Sequence, residues 1–293
     1  MSSPKTAAQA LLAVALLGCG CAHGGGGGGA SGGASRDSRA LEPDSVTSAL
    51  WRMDEAVGLK VADAGPFRLE GTAGVDTRSD YGRIGRARSF TASINSFVFV
   101  PYNPVLEAGD AFTIEAWVDP STYGQYEDTP IASRFSPEAL QSAWLFSIVG
   151  KNQAYSTQPS PGEHVALIQG VAAGKLMFAF APDDATPTRV YFSTRPIELD
   201  RWTHVAVTYD GRVVRLFIDG QLDAQYASPG KVRRTDAPLV IGNYFDPRYL
   251  TNFSGDLKMG PTADQYPYYA FVGLIDDLRI SSAARTGFPY ARP

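Results

Sequence analysis

Residues 202–220 read WTHVAVTYDGRVVRLFIDG, and their pattern decides the fold class. Apolar and polar residues alternate over Thr203–Tyr209 and again over Val213–Ile218, which is the period of a half-buried β-strand. Asp210-Gly211 lies between the two runs, and Asp-Gly is typical of a two-residue hairpin turn because both positions require positive φ. We therefore predict an antiparallel hairpin here.

The same signal recurs at Asp219-Gly220, which precedes a third strand at Gln221–Ala227. The three strands form a meander, and the alternation predicts which side chains face a core. The inward side chains of the first two strands are Val205, Val207, Tyr209, Val214, Leu216 and Ile218. The other face is predicted to form a mixed outer surface.

Strand signals also dominate the rest of the chain, where short apolar runs are bounded by Gly, Pro, Asn and Asp. Further strands are predicted at residues 96–100, 112–118, 143–149, 164–169, 175–181, 189–193, 239–242 and 273–280. Helical periodicity is nearly absent, and the best candidate is a single turn at residues 137–142. Many short strands with frequent turns indicate an all-β sandwich.

Four segments in this order resemble one known family. They are DAFTIEAWV at 110–118, WTHVAVTYDG at 202–211, VRLFIDG at 214–220, and LVIG at 239–242 together with FVGLIDDLRI at 271–280. Together they are similar to the laminin-G-like domain of the concanavalin A-like lectin and glucanase superfamily. The resemblance implies an all-β, two-sheet antiparallel jelly-roll sandwich and covers roughly residues 49–285. Residues 123–161 and 246–270 are longer than the family needs.

The first eighteen residues have the charge and short apolar core of a signal peptide, since the run is too short to span a bilayer. Residues 16–19 read LLGC, which resembles the lipobox of bacterial lipoproteins. This resemblance implies lipidation of Cys19. The alternative is an ordinary secretory signal with an incidental cysteine.

We predict three parts: a signal peptide at 1–18, the lipidated cysteine with a Gly/Ser-rich tether at 19–45, and the sandwich domain at 46–293. The tether cannot bury enough apolar surface to fold. Gly20 follows the lipidated position, and in lipoproteins a residue other than Asp there argues against retention at the inner membrane. The expected location is the bacterial cell envelope, at the outer membrane, facing the periplasm or the cell surface.

Composition excludes several classes of function. The net charge of −4 provides no basic surface for nucleic acid. The two cysteines, Cys19 and Cys21, both precede the predicted domain, so that domain has no disulfide or thiol chemistry. Membrane contact is expected through the lipid anchor alone.

Asp276 is the candidate metal ligand. Many members of the resembled family hold a structural calcium with an aspartate of the last long strand, and Asp276 is the position that matches, with carbonyl groups near Asp54 or Gly58 as further ligands. Calcium takes six to eight oxygen ligands, many from backbone or water. The alternative is that Asp276 accepts hydrogen bonds from backbone amides.

The two insertions are the candidate ligand-binding segments, because they combine aromatic rings with amides and carboxylates. The predicted ligand-binding residues are Tyr249, Phe253, Asp256, Tyr266, Tyr268 and Tyr269 in the second insertion and Trp144 in the first. Such a set suits sugar rings, but Tyr is also enriched at protein interfaces. A long loop packed on its own tyrosines is the third interpretation.

Catalytic signals are weak. Glycoside hydrolases of the resembled superfamily carry the motif Glu-x-Asp-x-x-Glu, or a close variant, on one strand. This spacing places an acid and a nucleophile on the same face of the strand. Glu115 and Asp119 lack the third partner, and Pro120 follows them. Trp117 and His204 are interpreted as packing and hydrogen-bonding residues, since the sequence places no carboxylate near His204.

The sequence thus predicts a non-catalytic, surface-anchored module that recognises a glycan or a protein partner. One alternative is a carbohydrate-active enzyme with an unfamiliar site, which clustered carboxylates in a groove would favour. The other is a structural or adhesion protein of the envelope, which a flat tyrosine-rich patch would favour. Fold alone does not choose between them.

Overall fold

The computed structural model describes residues 40–125, 128–134, 143–151, 154–157, 166–183, 188–245, 247, 250–253, 256–259 and 269–290. Apart from a 3-10 turn at Pro104–Leu106, the regular secondary structure in these ranges consists of strands. The strands are β1 (Thr47–Trp51), β2 (Lys60–Val61), β3 (Gly71–Ala73), β4 (Arg78–Tyr81), β5 (Arg86–Phe90), β6 (Val98–Val100), β7 (Phe112–Pro120), β8 (Thr129–Arg134), β9 (Trp144–Ile148), β10 (Ala154–Thr157), β11 (Ala166–Gln169), β12 (Lys175–Phe180), β13 (Arg189–Pro196), β14 (Thr203–Tyr209), β15 (Val213–Ile218), β16 (Gln221–Ala227), β17 (Leu239–Ile241), β18 (Asn243–Tyr244), β19 (Leu250–Phe253), β20 (Asp256–Met259), β21 (Tyr269–Ala270) and β22 (Gly273–Ser281). No helix in the described ranges has the length and apolar character needed to cross a membrane.

Two large antiparallel sheets form the sandwich. The front sheet has the strand order β16-β15-β14-β7-β22-β5-β4, and β1 also pairs with β22. The back sheet has the order β13-β12-β9-β8-β17-β6-β3-β2. Strands adjacent in sequence often lie in different sheets, as β13 and β14 do. The predicted all-β, two-sheet antiparallel fold is confirmed.

The core fills the space between the sheets, and the alternation along each strand decides which side chains enter it. All six residues predicted to point inward from β14 and β15 belong to this core. Phe112, Ile114, Ala116 and Val118 of β7 enter it from the neighbouring strand. The back sheet contributes Phe146, Phe178 and Phe180, among others.

The predicted meander is confirmed. Thr203–Tyr209 pairs with Val213–Ile218, and the latter pairs with Gln221–Ala227. Asp219 and Gly220 have φ of 51° and 75°, which is the backbone that a two-residue Asp-Gly hairpin turn requires.

The outer face of β14 differs from the prediction of a mixed outer surface. His204, Ala206 and Thr208 are all completely buried. The segment after β22 lies across this face, where Phe288 packs on Ala206 and Phe217. A residue outside the strand pattern therefore covers a face that alternation alone leaves open.

The remaining strand predictions agree within a few residues, and the single helical turn predicted at 137–142 lies outside the described residues. Several strands were not predicted, including β4 and β8. The second insertion, residues 246–270, contains the pair β19–β20, and its last strand, β21, pairs with β18 immediately before the insertion.

Candidate functional site

The second insertion leaves the back sheet directly after β17 and returns immediately before β22. Its base is closed by pairing of Asn243–Tyr244 with Tyr269–Ala270. The rings of Tyr244 and Tyr269 stack with centroids 5.1 Å apart and planes inclined by 14°. Tyr244 is buried, and burial raises the pKa of its phenol. The predicted ligand residue Tyr269 thus belongs to a fixed aromatic pair.

The base of the insertion is anchored to the outer face of the back sheet. The Asn243 amide donates to the carbonyl groups of Ser93 (3.1 Å) and Ser96 (3.0 Å). Beside it, Phe97, Val240 and Phe245 form a small buried cluster, in which the two phenyl rings meet edge to face at 5.0 Å. This packing holds the start of the insertion in a defined orientation.

The other predicted ligand residues are distributed unevenly. Phe253 and Asp256 lie opposite each other in the β19–β20 pairing. Tyr249, Tyr266 and Tyr268 lie outside the described residues. Trp144, the predicted ligand-binding residue of the first insertion, is only 1% exposed and packs in the main core. The cysteine predicted to be lipidated, Cys19, also lies outside the described residues.

Asp276, the predicted metal ligand, is 1% exposed on β22. Its Oδ2 accepts a hydrogen bond from the backbone N–H of Ile84 (3.2 Å), so the interpretation as an acceptor for backbone amides is correct for this oxygen. Its Oδ1 is buried and has no hydrogen-bond partner among the described residues. Burial, with the nearby charges of Asp277 and Asp54, raises the pKa of Asp276 to about 8.

The surroundings of Asp276 fit a hard cation in part. Asp54 and Asp276 approach the same β4–β5 hairpin, and a Cβ on Gly82 or Gly85 would collide with one of their carboxylates. An orphaned carboxylate oxygen among further carboxylates is the donor chemistry that calcium prefers. However, the described residues contain no group of three ligating His, Cys, Asp or Glu side chains. Backbone carbonyls or water would have to complete the coordination.

A second buried carboxylate, Glu115 on β7, has the opposite surroundings. Its Oε2 lies 3.1 Å from His204 Nε2, and its Oε1 accepts a 2.8 Å hydrogen bond from Arg279 Nε. Burial by itself would raise the pKa of Glu115, but the His204 contact and the Arg279 charge hold it below its usual range.

This group was missed from the sequence, which placed no carboxylate near His204. The two residues are 89 positions apart and meet because Ala206 pairs with Glu115 across β14 and β7. His204 and Glu115 are completely buried, and Phe288 and Tyr290 pack on the His204 ring. Among the described residues, His204 is thus enclosed by packing and hydrogen-bonding contacts, in agreement with its interpretation as a structural residue.

A cavity of about 300 Å³ lies at one end of the sandwich, and no sequence motif pointed to it. We call it the crossover cavity, because it lies between the segment that leads from β13 to β14 and the turn that joins β15 to β16. Arg195, Ile197, Glu198, Arg201, Asp219 and Gln221 line it, together with Pro196, Thr203 and Ile218. Charged and apolar side chains thus share one concave surface.

A protein-family model matches residues 92–287, about two thirds of the 293-residue chain. They match the laminin-G family model described as the concanavalin A-like lectin/glucanases superfamily. No curated protein sequence matches the chain.

Solved structures share the fold at low sequence identity. Domain 4 of AbnA, a GH43 extracellular arabinanase from Geobacillus stearothermophilus solved in complex with arabinotriose, is 19% identical with a TM-score of 0.53, and the match covers 82% of this chain and 94% of that one. The binding domain of Paraclostridial Mosquitocidal Protein 1 is 12% identical with a TM-score of 0.52, over 82% of this chain and 49% of that one. The receptor-binding domain of botulinum neurotoxin type G is 13% identical with a TM-score of 0.51, over 83% and 49%. The chain therefore spans about half the length of these two toxin domains.

Proposed function

The chain belongs to the concanavalin A-like lectin/glucanases superfamily, and from this premise we propose that it is a non-catalytic recognition module that binds a glycan. The observation that carries the proposal is the Tyr244–Tyr269 stack at the base of the second insertion. A partly exposed ring held rigidly by a second ring offers a flat apolar face at little entropic cost, which suits the C–H face of a sugar.

The buried carboxylates Asp276 and Glu115 and the acids of the crossover cavity favour binding over hydrolysis. A glycosidase needs an acid of raised pKa and a second carboxylate, both within reach of one glycosidic bond. Asp276 has a raised pKa but is 1% exposed, and Glu115 is completely buried among cations. The acids of the crossover cavity, Glu198 and Asp219, are both paired with Arg201.

The similar structures support the proposal at the level of the fold. One is a domain solved with arabinotriose, and two are binding domains of toxins. A protein partner is the alternative that these neighbours leave open, and a glycan array separates the two.

The array is probed with the full-length protein in calcium and in chelator. We expect binding to one glycan class, with a loss of about fivefold or more in affinity for Tyr269→Ala. This assumes that a sugar ring gains about as much from an aromatic face as a nucleic-acid base does, on the order of 1–3 kcal/mol. Tyr81→Ala is the matched control, because Tyr81 is 83% exposed on the edge strand β4. A blank array with folded protein would overturn glycan recognition and favour a protein partner.

We also propose that Cys19 anchors the module to the outer membrane of a bacterial cell envelope. The sequence LLGC at residues 16–19 supports this proposal. Metabolic labelling with an alkyne fatty acid should modify the wild type and Cys21→Ala but not Cys19→Ala. Labelling that persists in Cys19→Ala would contradict the anchor.

We further propose that Asp276 binds a calcium ion with a structural role. It is supported by the orphaned Asp276 Oδ1 and by the approach of Asp54 to the same hairpin. The bound ion would lower the cost of burying the carboxylate, because its charge would offset the neighbouring carboxylates of Asp277 and Asp54.

A further inference from the structure

The crossover cavity combines two guanidinium groups, two carboxylates and an apolar wall at one end of the sandwich. Its volume of about 300 Å³ is at the lower limit of sites that bind small molecules, which are clefts of roughly 300–1,000 Å³. It is separate in sequence from the second insertion, since its walls come from residues 195–203 and 218–221.

We propose that this cavity binds one neutral sugar residue. The inference rests on the proposed function, glycan recognition, and deepens it by naming a subsite and a class of sugar.

Arg195 is held in place before any ligand binds. Its Nε donates to Asp223 Oδ1 at 2.7 Å, and the Asp223 side chain is only 2% exposed. The Nη2 of Arg195 lies 3.5 Å from the Ile218 carbonyl oxygen, and the Arg195 side chain as a whole remains 51% exposed. Such anchoring lowers the entropic cost of forming further hydrogen bonds.

Arg201 is fixed between two carboxylates. Its Nη1 lies 2.6 Å from Glu198 Oε2, and its Nη2 lies 2.8 Å from Asp219 Oδ2. Asp219 is fixed in turn, because its Oδ1 accepts a hydrogen bond from the backbone N–H of His204 at 3.2 Å. The β13–β14 crossover and the β15–β16 turn are thereby tied together across the cavity.

The charge balance of the lining selects a neutral ligand. Two arginines face two carboxylates, so the site offers hydrogen-bond donors and acceptors in similar number. A sugar hydroxyl donates and accepts at once and can bridge such a pair. An anionic sugar would be attracted by Arg195 and Arg201 and repelled by Glu198 and Asp219, so its charge would bring no net advantage over a neutral sugar.

The apolar part of the lining suits the C–H face of a sugar ring. Ile197 and Ile218 are 0% and 4% exposed and lie beneath the lining, and the apolar residue that the cavity exposes is Pro196. Gln221 adds an amide at the start of β16. A compact polyol with one apolar face therefore matches the cavity better than an extended apolar ligand.

The test is nuclear magnetic resonance of isoleucine methyl groups in the full-length protein. The probes are the methyl glycosides of glucose, galactose, mannose and arabinose, with methyl glucuronide as the anionic comparison. We expect one neutral glycoside to shift the Ile197 and Ile218 methyl signals saturably. Arg195→Leu should weaken this binding by about tenfold or more, because hydrogen bonds to charged groups are strong. Gln221→Ala should weaken it by about two- to tenfold, because Gln221 is an exposed neutral amide.

Arg212→Leu is the matched control, because Arg212 is an exposed arginine on the β14–β15 turn, and it should leave the affinity unchanged. Shifts confined to methyl groups elsewhere, with full affinity in Arg195→Leu, would overturn the cavity subsite while the proposed function stands. Preference for the glucuronide would overturn the neutral class. No saturable shift with any glycoside would overturn the subsite, and only a blank glycan array in addition would overturn glycan recognition.

Discussion

Glu115 and Asp276 are buried carboxylates on the paired strands β7 and β22 of the front sheet, and they differ in the charged groups that surround them. Glu115 contacts His204 and Arg279, which hold its pKa below the usual range. Asp276 has backbone amides and the neighbouring acids Asp277 and Asp54, and its pKa is raised to about 8. A buried carboxylate is tolerated as an ion where the chain supplies cations, and otherwise requires a proton or an external cation.

Removal of the compensated carboxylate has the largest expected effect. Glu115→Ala leaves Arg279 and His204 without their partner in a buried site, so we expect a loss of about 3–5 kcal/mol in the free energy of unfolding. Urea denaturation monitored by tryptophan fluorescence measures it. Glu70→Ala is the control: Glu70 pairs with Lys60 on the surface, and its loss should cost less than about 1 kcal/mol. Equal effects of the two substitutions would remove the contrast.

Removal of the uncompensated carboxylate should act in the opposite direction. Asp276→Asn retains an acceptor for the Ile84 amide but carries no charge, so in chelator at neutral pH we expect a gain of about 1–3 kcal/mol. Thermal unfolding with and without calcium completes the experiment. Calcium should raise the melting temperature of the wild type and not that of the variant.

A loss of stability in Asp276→Asn under chelator would contradict this account of the site. An identical calcium response in both proteins would instead contradict only the calcium proposal.

Acid should reveal the lowered pKa of Glu115. A carboxyl whose pKa is lower in the folded state stabilises the fold above its unfolded value of 4.5, and that stability is lost as the pH falls. We expect a slope of at most about 1.4 kcal/mol per pH unit below pH 4.5. Asp44, whose pKa the Arg285 hydrogen bond lowers, acts in the same direction. Urea titrations of Asp44→Asn with and without Glu115→Gln isolate the Glu115 part, and an unchanged slope would contradict it.

The smallest expected effect is the loss of the contact between Arg83 and Trp117, which lies near Asp276. The Arg83 guanidinium lies 4.8 Å from the centre of the Trp117 ring, and Trp117 is opposite Asp276 in the β7–β22 pairing. Arg83→Ala should cost about 0.5–1 kcal/mol, as expected for a partly exposed cation–π contact. Arg83→Lys should recover part of this loss. A cost above that of Glu115→Ala in the same urea denaturation would reverse the expected order of the two effects.

The strands were predictable where apolar and polar residues alternate clearly along the sequence. Thr203–Tyr209 and Val213–Ile218 match their predicted bounds because alternation and an Asp-Gly turn act within a few residues. Arg78–Tyr81 reads RSDY and has no such pattern, since an edge strand is stabilised mainly by its neighbour β5. Thr129–Arg134 contains a proline and was missed for that reason.

The candidate sites were less predictable than the strands. Tyr269 was identified from composition alone, and its stack with Tyr244 required the pairing of β18 with β21. Trp144 was predicted as a ligand-binding residue because local sequence does not separate a core aromatic from an exposed one. Asp276 was identified through a family resemblance, whereas its orphaned oxygen is a property of the folded hairpin.

The sequence by itself determined an all-β chain and its central meander, because strand alternation and turn chemistry are local properties. It indicated the family through the resemblance of four segments. Only the tertiary structure decided which charges meet: Glu115 with His204 and Arg279, Asp276 with Asp54, and Arg201 with Asp219. The reason is physical. Strand register and the packing of one sheet on the other bring together side chains from distant segments, and burial then makes the contacts between them energetically decisive.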